Sequence, residues 1–143
     1  MQEEWQRGVR FSRPLALVMM DLDRFKLIND THGHPVGDEV LRHVAGLLAG
    51  QIRHVDCVAR LGGDEFALLL VESDHRGAQV VASRVTALAA TNPYQMAAKQ
   101  LTIEIGISAG VAAWPKDADT PVALVAAADA ALYVVKRNGR RPA

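Results

Sequence analysis

The sequence predicts an α+β fold, a mixed central β-sheet flanked by helices, and three observations carry that prediction. Short apolar runs of strand length alternate with longer stretches of helical periodicity. Two strand-like runs, "DCVARL" and "DEFALLLV", are separated by Gly62 and Gly63, the pair a tight hairpin needs because its turn positions take positive φ. No repeat, linker or low-complexity tract divides the 143 residues, of which 50% are hydrophobic, so one domain with one core is expected.

The elements follow in chain order. "PLALVMM" (14–20) is a short continuous apolar run, the signature of a strand buried on both faces. The polar stretch "DLDRFKLINDTHGHPVGDE" comes next, and then Val36, Val40, Val44, Leu47 and Leu48 recur at helical spacing, predicting a helix over about 36–50. After the hairpin, Ala78, Val81, Val85 and Leu88 share a helical face that stops before Asn92-Pro93. "LTIEIGISAGVAAW" (101–114) is rich in β-branched residues and interrupted by Gly106 and Gly110, which favours two strands over one. In the last segment Thr120 can cap a helix, Pro121 fits its first turn, Leu124, Ala128, Leu132 and Val135 share a face, and Gly139 ends it.

Composition narrows the function classes. Sixteen basic residues balance sixteen acidic ones, so no net field draws the chain to nucleic acid or to an anionic membrane, and any anion binding must be local. The single cysteine, Cys57, excludes an internal disulfide and suits a reducing, cytoplasmic setting. The apolar runs are shorter than the roughly 18 residues of a spanning helix.

"RLGGDEF" (60–66) sets adjacent carboxylates at the mouth of an apolar strand, where they are costly unless a cation meets them. Asp21 and Asp23 stand at the end of the first strand, on one face if the strand persists that far. If the two strands are neighbours, these residues with Asp64 and Glu65 bring three or four carboxylates to one sheet edge, a hard oxygen cage suited to Mg²⁺ or Mn²⁺ with substrate phosphates. The plainer reading makes Asp21 and Asp23 helix caps and Asp64 and Glu65 solvated turn residues.

The motifs "DLDRFKLIND", "GHPVGDEVL", "RHVD", "RLGGDEF" and "AADAALYVVKRNGR" occur in the order in which the GGDEF domain of bacterial diguanylate cyclases carries its own, and the resemblance covers nearly the whole chain. It implies a palm-like fold similar to adenylyl cyclase catalytic domains and an activity that condenses two GTP into cyclic di-GMP and two pyrophosphates. By the same resemblance Asp21, the carbonyl of Leu22, Asp64 and Glu65 would hold two Mg²⁺ or Mn²⁺ ions. Asp64 is the family's candidate general base, a role ranked below ligation because a metal-bound carboxylate is a poor base. Gly62 and Gly63 would leave room for the nucleotide. Asn29 and Asp38 match the guanine readers, although each also suits a turn or a helix's first turn. Lys136 and Arg140 match the triphosphate contacts, or else form a solvated basic helix end. Backbone N–H groups from Arg24 through Phe25 to Lys26 would supplement them, while the rings of Phe25 and Phe66 read as core.

Arg53 and Asp56 match the family's inhibitory RxxD site at its usual five-residue distance from GGDEF, with Arg84 as a secondary contact. A guanidinium grips a phosphate or guanine edge through its fork, and a carboxylate accepts guanine donors, so the product can bind there; the competing reading is a surface ion pair. The five histidines form no metal-binding set. The chain lacks the family's upstream "DxLTGLxNRR" segment and ends in "GRRPA", which implies one catalytic domain of a longer protein with a sensory region and a dimerising helix. One domain holds one GTP, so catalysis implies a homodimer. The alternative function is a non-catalytic module that senses GTP or cyclic di-GMP. A template-directed palm enzyme is disfavoured by the neutral charge and the lack of basic tracts.

Overall fold

A computed structural model describes Gln6 and residues 13–139. Strand β1 (Leu15–Leu22) is followed by α1 (Phe25–His32) and α2 (His34–Ala49), the hairpin β2 (Cys57–Gly62) and β3 (Glu65–Val71), and α3 (His75–Thr91). A small hairpin, β4 (Tyr94–Met96) and β5 (Leu101–Ile103), leads to β6 (Ile107–Trp114) and the closing helix α4 (Pro121–Gly139). The main sheet has the order β2-β3-β1-β6.

Every pairing in that sheet is antiparallel, where the sequence led us to expect a mixed sheet. The reason lies in β1. Its residues are buried without interruption, the pattern typical of parallel strands, yet here two-sided burial comes from helices on both faces. Ala16, Val18, Met20 and Leu22 belong to the core formed with α1, α2 and α3. Leu15, Leu17 and Met19 point the other way, into a smaller core closed by Leu124, Ala128 and Leu132 of α4. The α+β class and the layered arrangement are as expected.

Local chemistry sets the helix ends. The Gly77 N–H donates to Asp74 Oδ1 at 2.8 Å, and the Ala123 N–H to Thr120 Oγ1 at 3.1 Å, each a side-chain N-cap. Three details differ from the sequence reading. Helix α1 lies within the stretch read as polar connection, because it is only eight residues long and buries only Ile28. The buried face of α3 is Ala78, Ala82, Val85 and Ala89, with Val81 and Leu88 at its margin. Val135 is 42% exposed and faces a groove of about 450 Å³ between α3, β6 and α4 rather than the sheet. Segment 101–114 is two strands, as expected, and they belong to different sheets. Among the described residues no helix is long and apolar enough to cross a membrane.

Candidate active site

The β1–β3 register places Asp21 opposite Glu65, and the β2–β3 register shifts between Arg60 and Gly62 so that Gly62 also stands opposite Glu65. Gly62 at φ +135° and Gly63 at φ +51° take conformations that side-chain-bearing residues avoid. A Cβ at either position would meet no protein atom within 4 Å, so backbone conformation, not crowding by the protein, selects glycine there. Arg60 pins the turn by donating to the Gly63 carbonyl at 2.9 and 3.1 Å. The Leu22 N–H donates to the Asp64 carbonyl at 3.1 Å, tying the turn to the end of β1.

This brings two acids together. Asp21 is inside the strand and, taken as a whole residue, 7% exposed, the sole charged residue among those described that is buried over backbone and side chain together. Its Oδ2 is paired with the ammonium of Lys136, which arrives from the last turn of α4. Its Oδ1 is buried without a hydrogen-bond partner. Burial and the nearby charge of Asp21 push Asp64 up to about 6, against the opposing pull of Lys136.

The remaining carboxylates do not converge as expected. Among the described residues no three or more His, Cys, Asp or Glu side chains form a metal-binding group. Asp23 is drawn aside: it accepts from the Ser108 hydroxyl at 2.6 Å, its N–H donates to the Gly106 carbonyl at 2.8 Å, and a Cβ at Gly106 would lie 2.9 Å from its Oδ2. Glu65, though opposite Asp21 in register, is exposed. The set still fits a hard divalent cation, because Mg²⁺ takes one or two carboxylates and completes its shell with water and substrate phosphates. The unpartnered buried oxygen of Asp21 beside an acid that resists ionisation is where such a cation is favoured.

A cleft of about 310 Å³ lined by Asp38, Leu41, Arg42, Ala45, Arg60 and Phe66 lies between α2 and the hairpin. Asp38 lies in α2 beyond its first turn, which holds no acid, so the reading of it as a first-turn helix acid does not apply. Asn29 is within α1, not in a turn, and its Oδ1 is buried without a hydrogen-bond partner. Phe25 packs against the main core and Phe66 is 2% exposed, as their rings were expected to be. Phe25 and Lys26 open α1, ahead of its first backbone bond from the Ile28 N–H to the Arg24 carbonyl at 3.1 Å, and Arg24 is left-handed at φ 60°. Arg140 lies outside the described residues.

At the other end of the β2–β3 hairpin, Arg53 and Asp56 form a closed unit. Arg53 Nε and Nη2 donate to the two carboxylate oxygens of Asp56 at 3.1 Å each. The N–H groups of Arg53 (3.0 Å) and Val71 (2.9 Å) complete the carboxylate's partners. Burial would raise the pKa of Asp56, but the hydrogen bonds of Arg53 and Val71 outweigh it and hold the acid below its ordinary value. Arg53 is raised by the same contact. Arg53 itself is 56% exposed and its partner acid 3%. Arg84 donates to the Gln51 carbonyl at 2.8 Å, which brings α3 to this loop.

The sequence reading missed Gly37, Gly106 and Ser108, which shape the surroundings of Asn29 and Asp23, and it missed Lys136 as the partner of Asp21. The glycines were visible as residues, but nothing in spacing says which side chain each one faces.

Comparison with known proteins fits this geometry. The model of the family described as "Diguanylate cyclase, GGDEF domain" matches residues 1–142. The diguanylate cyclase TpbB of Pseudomonas aeruginosa is 42% identical over 88% of this chain, and the response regulator PleD of Caulobacter vibrioides 38% over 89%. The chain spans 29% and 28% of the length of these two relatives. The crystal structure of the TpbB GGDEF domain superposes with a TM-score of 0.90 at 39% identity, covering 95% of this chain and 84% of that one. The GGDEF domain of DgcB from Caulobacter crescentus, solved in complex with c-di-GMP, gives 0.89 at 27% identity, covering 96% and 81%. With the family model spanning almost every residue and the antiparallel sheet shared with these neighbours, the chain belongs to the GGDEF-domain family of diguanylate cyclases.

Proposed function

We propose that this chain is the catalytic domain of a longer cytoplasmic diguanylate cyclase. Two GTP molecules, one per protomer of a homodimer, are joined by attack of each 3′-hydroxyl on the α-phosphate of the other, giving cyclic di-GMP and two pyrophosphates. The observation that carries this reading is the buried Asp21, one of its oxygens unpartnered, with the half-buried Asp64 beside it. A sensing module needs no such costly arrangement to bind a nucleotide.

In this reading Asp21, the Leu22 carbonyl, Asp64 and Glu65 hold Mg²⁺ or Mn²⁺, two per site. Held there, they would supply positive charge that offsets the charge on the leaving pyrophosphate and would favour ionisation of the attacking hydroxyl. Gly62 and Gly63 leave one side of the turn open to the nucleotide. Asn29 and Asp38 read guanine: an amide donates to its carbonyl oxygen, and a carboxylate accepts from its ring N–H and exocyclic amine, a donor pattern adenine lacks. Lys136, Arg140 and the N–H groups of Phe25 and Lys26 hold the phosphates. Asp64, with a pKa near 6 before any cation binds, can exchange a proton near neutrality, but ligation is its main role. Cyclic di-GMP returns to Arg53 and Asp56, beside Arg84, to arrest the enzyme. The DgcB neighbour, solved with c-di-GMP, supports product binding by this fold.

The test is direct. The domain joined to a dimerising helix is incubated with Mg²⁺ and GTP and the products are separated by chromatography. The expected result is cyclic di-GMP and pyrophosphate, with Asp64→Ala or Glu65→Ala inactive but folded by circular dichroism. GTP bound yet unconverted under these conditions would favour the sensing module, and wild-type rates in both variants would remove the metal assignment.

A further inference from the structure

We propose that Lys136 is the resident counter-ion of the Asp21–Asp64 pair and that it competes with the divalent cation for Asp21. The inference rests on the reading of Asp21 as a metal ligand and adds an exchange between two cations at one carboxylate.

The placement is set by the fold. Helix α4 packs against β6 so closely that a Cβ at Gly110 would lie 2.1 Å from the Leu132 nitrogen and 2.6 Å from the Ala128 carbonyl oxygen. That seats the last turn of α4 over the end of β1 and delivers Lys136 to a residue 115 positions away in sequence. The Asp21 side chain is 10% exposed and that of Lys136 26%, so the pair is partly removed from solvent. A buried carboxylate with a second acid beside it needs a positive charge, and Lys136 supplies it. It takes Oδ2 alone and leaves Oδ1 without a partner.

A divalent cation on Asp21 would share that carboxylate with the ammonium, and two cations a few ångströms apart repel. The ammonium sits on a flexible four-carbon stem, so it is the partner that leaves. Loading the cation therefore releases a positive group for the phosphate oxygens of the nucleotide. One residue thereby links the two binding events and keeps the acid pair neutralised between them.

The test is a nucleotide-free titration with Mn²⁺, followed by electron paramagnetic resonance, on wild type, Lys136→Gln, Lys136→Arg and Asp21→Asn. Removing the competitor should tighten Mn²⁺ binding in Lys136→Gln by about tenfold, the size of a charge-assisted contact. Lys136→Arg keeps a cation and should bind as weakly as wild type, and Asp21→Asn should lose binding. Metal-free Lys136→Gln should melt below wild type and gain more from Mn²⁺ than wild type does. Should that variant fail to fold, the Lys136 side-chain ammonium resonance of isotopically labelled wild type reports the same event, moving as Mg²⁺ is added. Lys136→Gln binding no more tightly than wild type, with Asp21→Asn still defective, or an unmoved ammonium resonance, overturns the exchange and leaves the metal assignment standing. Wild-type binding in Asp21→Asn overturns both.

Discussion

Gly37 and Asn29 face each other across the corner between α1 and α2 so closely that a Cβ on Gly37 would fall 1.8 Å from Asn29 Oδ1. The atom in the way is the end of a side chain, not backbone, so the collision is relieved by moving Asn29. Its escape is limited, because the Phe25 ring lies 3.4 Å from the same point. Gly37→Ala should therefore displace the proposed guanine reader while costing about 1–3 kcal/mol of stability, the usual range for overpacking. Titration with GTP should show a loss comparable to that of Asn29→Ala, and urea melts give the stability change. Unaltered GTP affinity in both variants would take Asn29 out of the site.

Asp38 tests specificity rather than affinity alone. In the proposed reading its carboxylate is the acceptor that distinguishes guanine from adenine, and the substitution removes it. In a competition titration Asp38→Ala should lose preference for GTP over ATP by about tenfold or more. Equal discrimination in variant and wild type would take Asp38 out of the guanine-reading role.

Gly110 makes the opposite case to Gly37. Here the atoms that a Cβ would meet are the backbone of α4, including the Ala131 carbonyl carbon at 2.7 Å, and they cannot rotate away. Gly110→Ala should push α4 off the sheet and cost about 3 kcal/mol or more, at the high end of overpacking. It should also separate Lys136 from Asp21. Urea unfolding measures the first effect, and unchanged stability would mean that the helix shifts without loss.

These glycines mark where the sequence was legible and where it was not. The strands around "RLGGDEF", the helix cap at Thr120 and the two-sided burial of β1 could be read from periodicity and turn chemistry, which are local. The eight-residue α1 could not, because a helix that buries one side chain leaves almost no periodic signal. Nor could the antiparallel partners of β1 be read, since burial on both faces is silent about strand direction. In the site, adjacent Asp64 and Glu65 look alike in sequence. Only tertiary packing leaves Glu65 exposed, presses Asp64 against Asp21 and diverts Asp23 to Ser108.

Asp56 should govern part of the acid stability. Its folded pKa lies below the ordinary 3.8, so between those two values the unfolded chain binds more protons and stability rises with pH. The contribution is complete above about pH 4 and is lost as pH falls through the folded value. Asp56→Asn should thus be less stable than wild type at pH 7, with the gap closing as the pH is lowered below the ordinary carboxylate value. Chemical denaturation at pH 7, 4, 3 and 2 checks this, and a gap independent of pH would assign the effect to shape rather than charge.

The last prediction concerns feedback. The unit formed by Arg53 and Asp56 lies before β2, while the turn carrying Asp64 follows it, so six residues of strand separate them. At about 3.3 Å per residue that is roughly 20 Å, too far for one group to serve both places. The acid is fully engaged by Arg53 and by the Val71 N–H, whereas the guanidinium is more than half exposed and is the part that can meet a phosphate or a guanine edge. Arg53→Ala should therefore weaken cyclic di-GMP binding by about tenfold to a hundredfold, the size of a charge-assisted contact. Asp64→Ala should bind it nearly as well as wild type, because it removes no part of this unit. Calorimetry on both variants separates the outcomes: equal affinity in wild type and Arg53→Ala would reduce the pair to a surface clasp that joins the 53–56 loop to the end of β3.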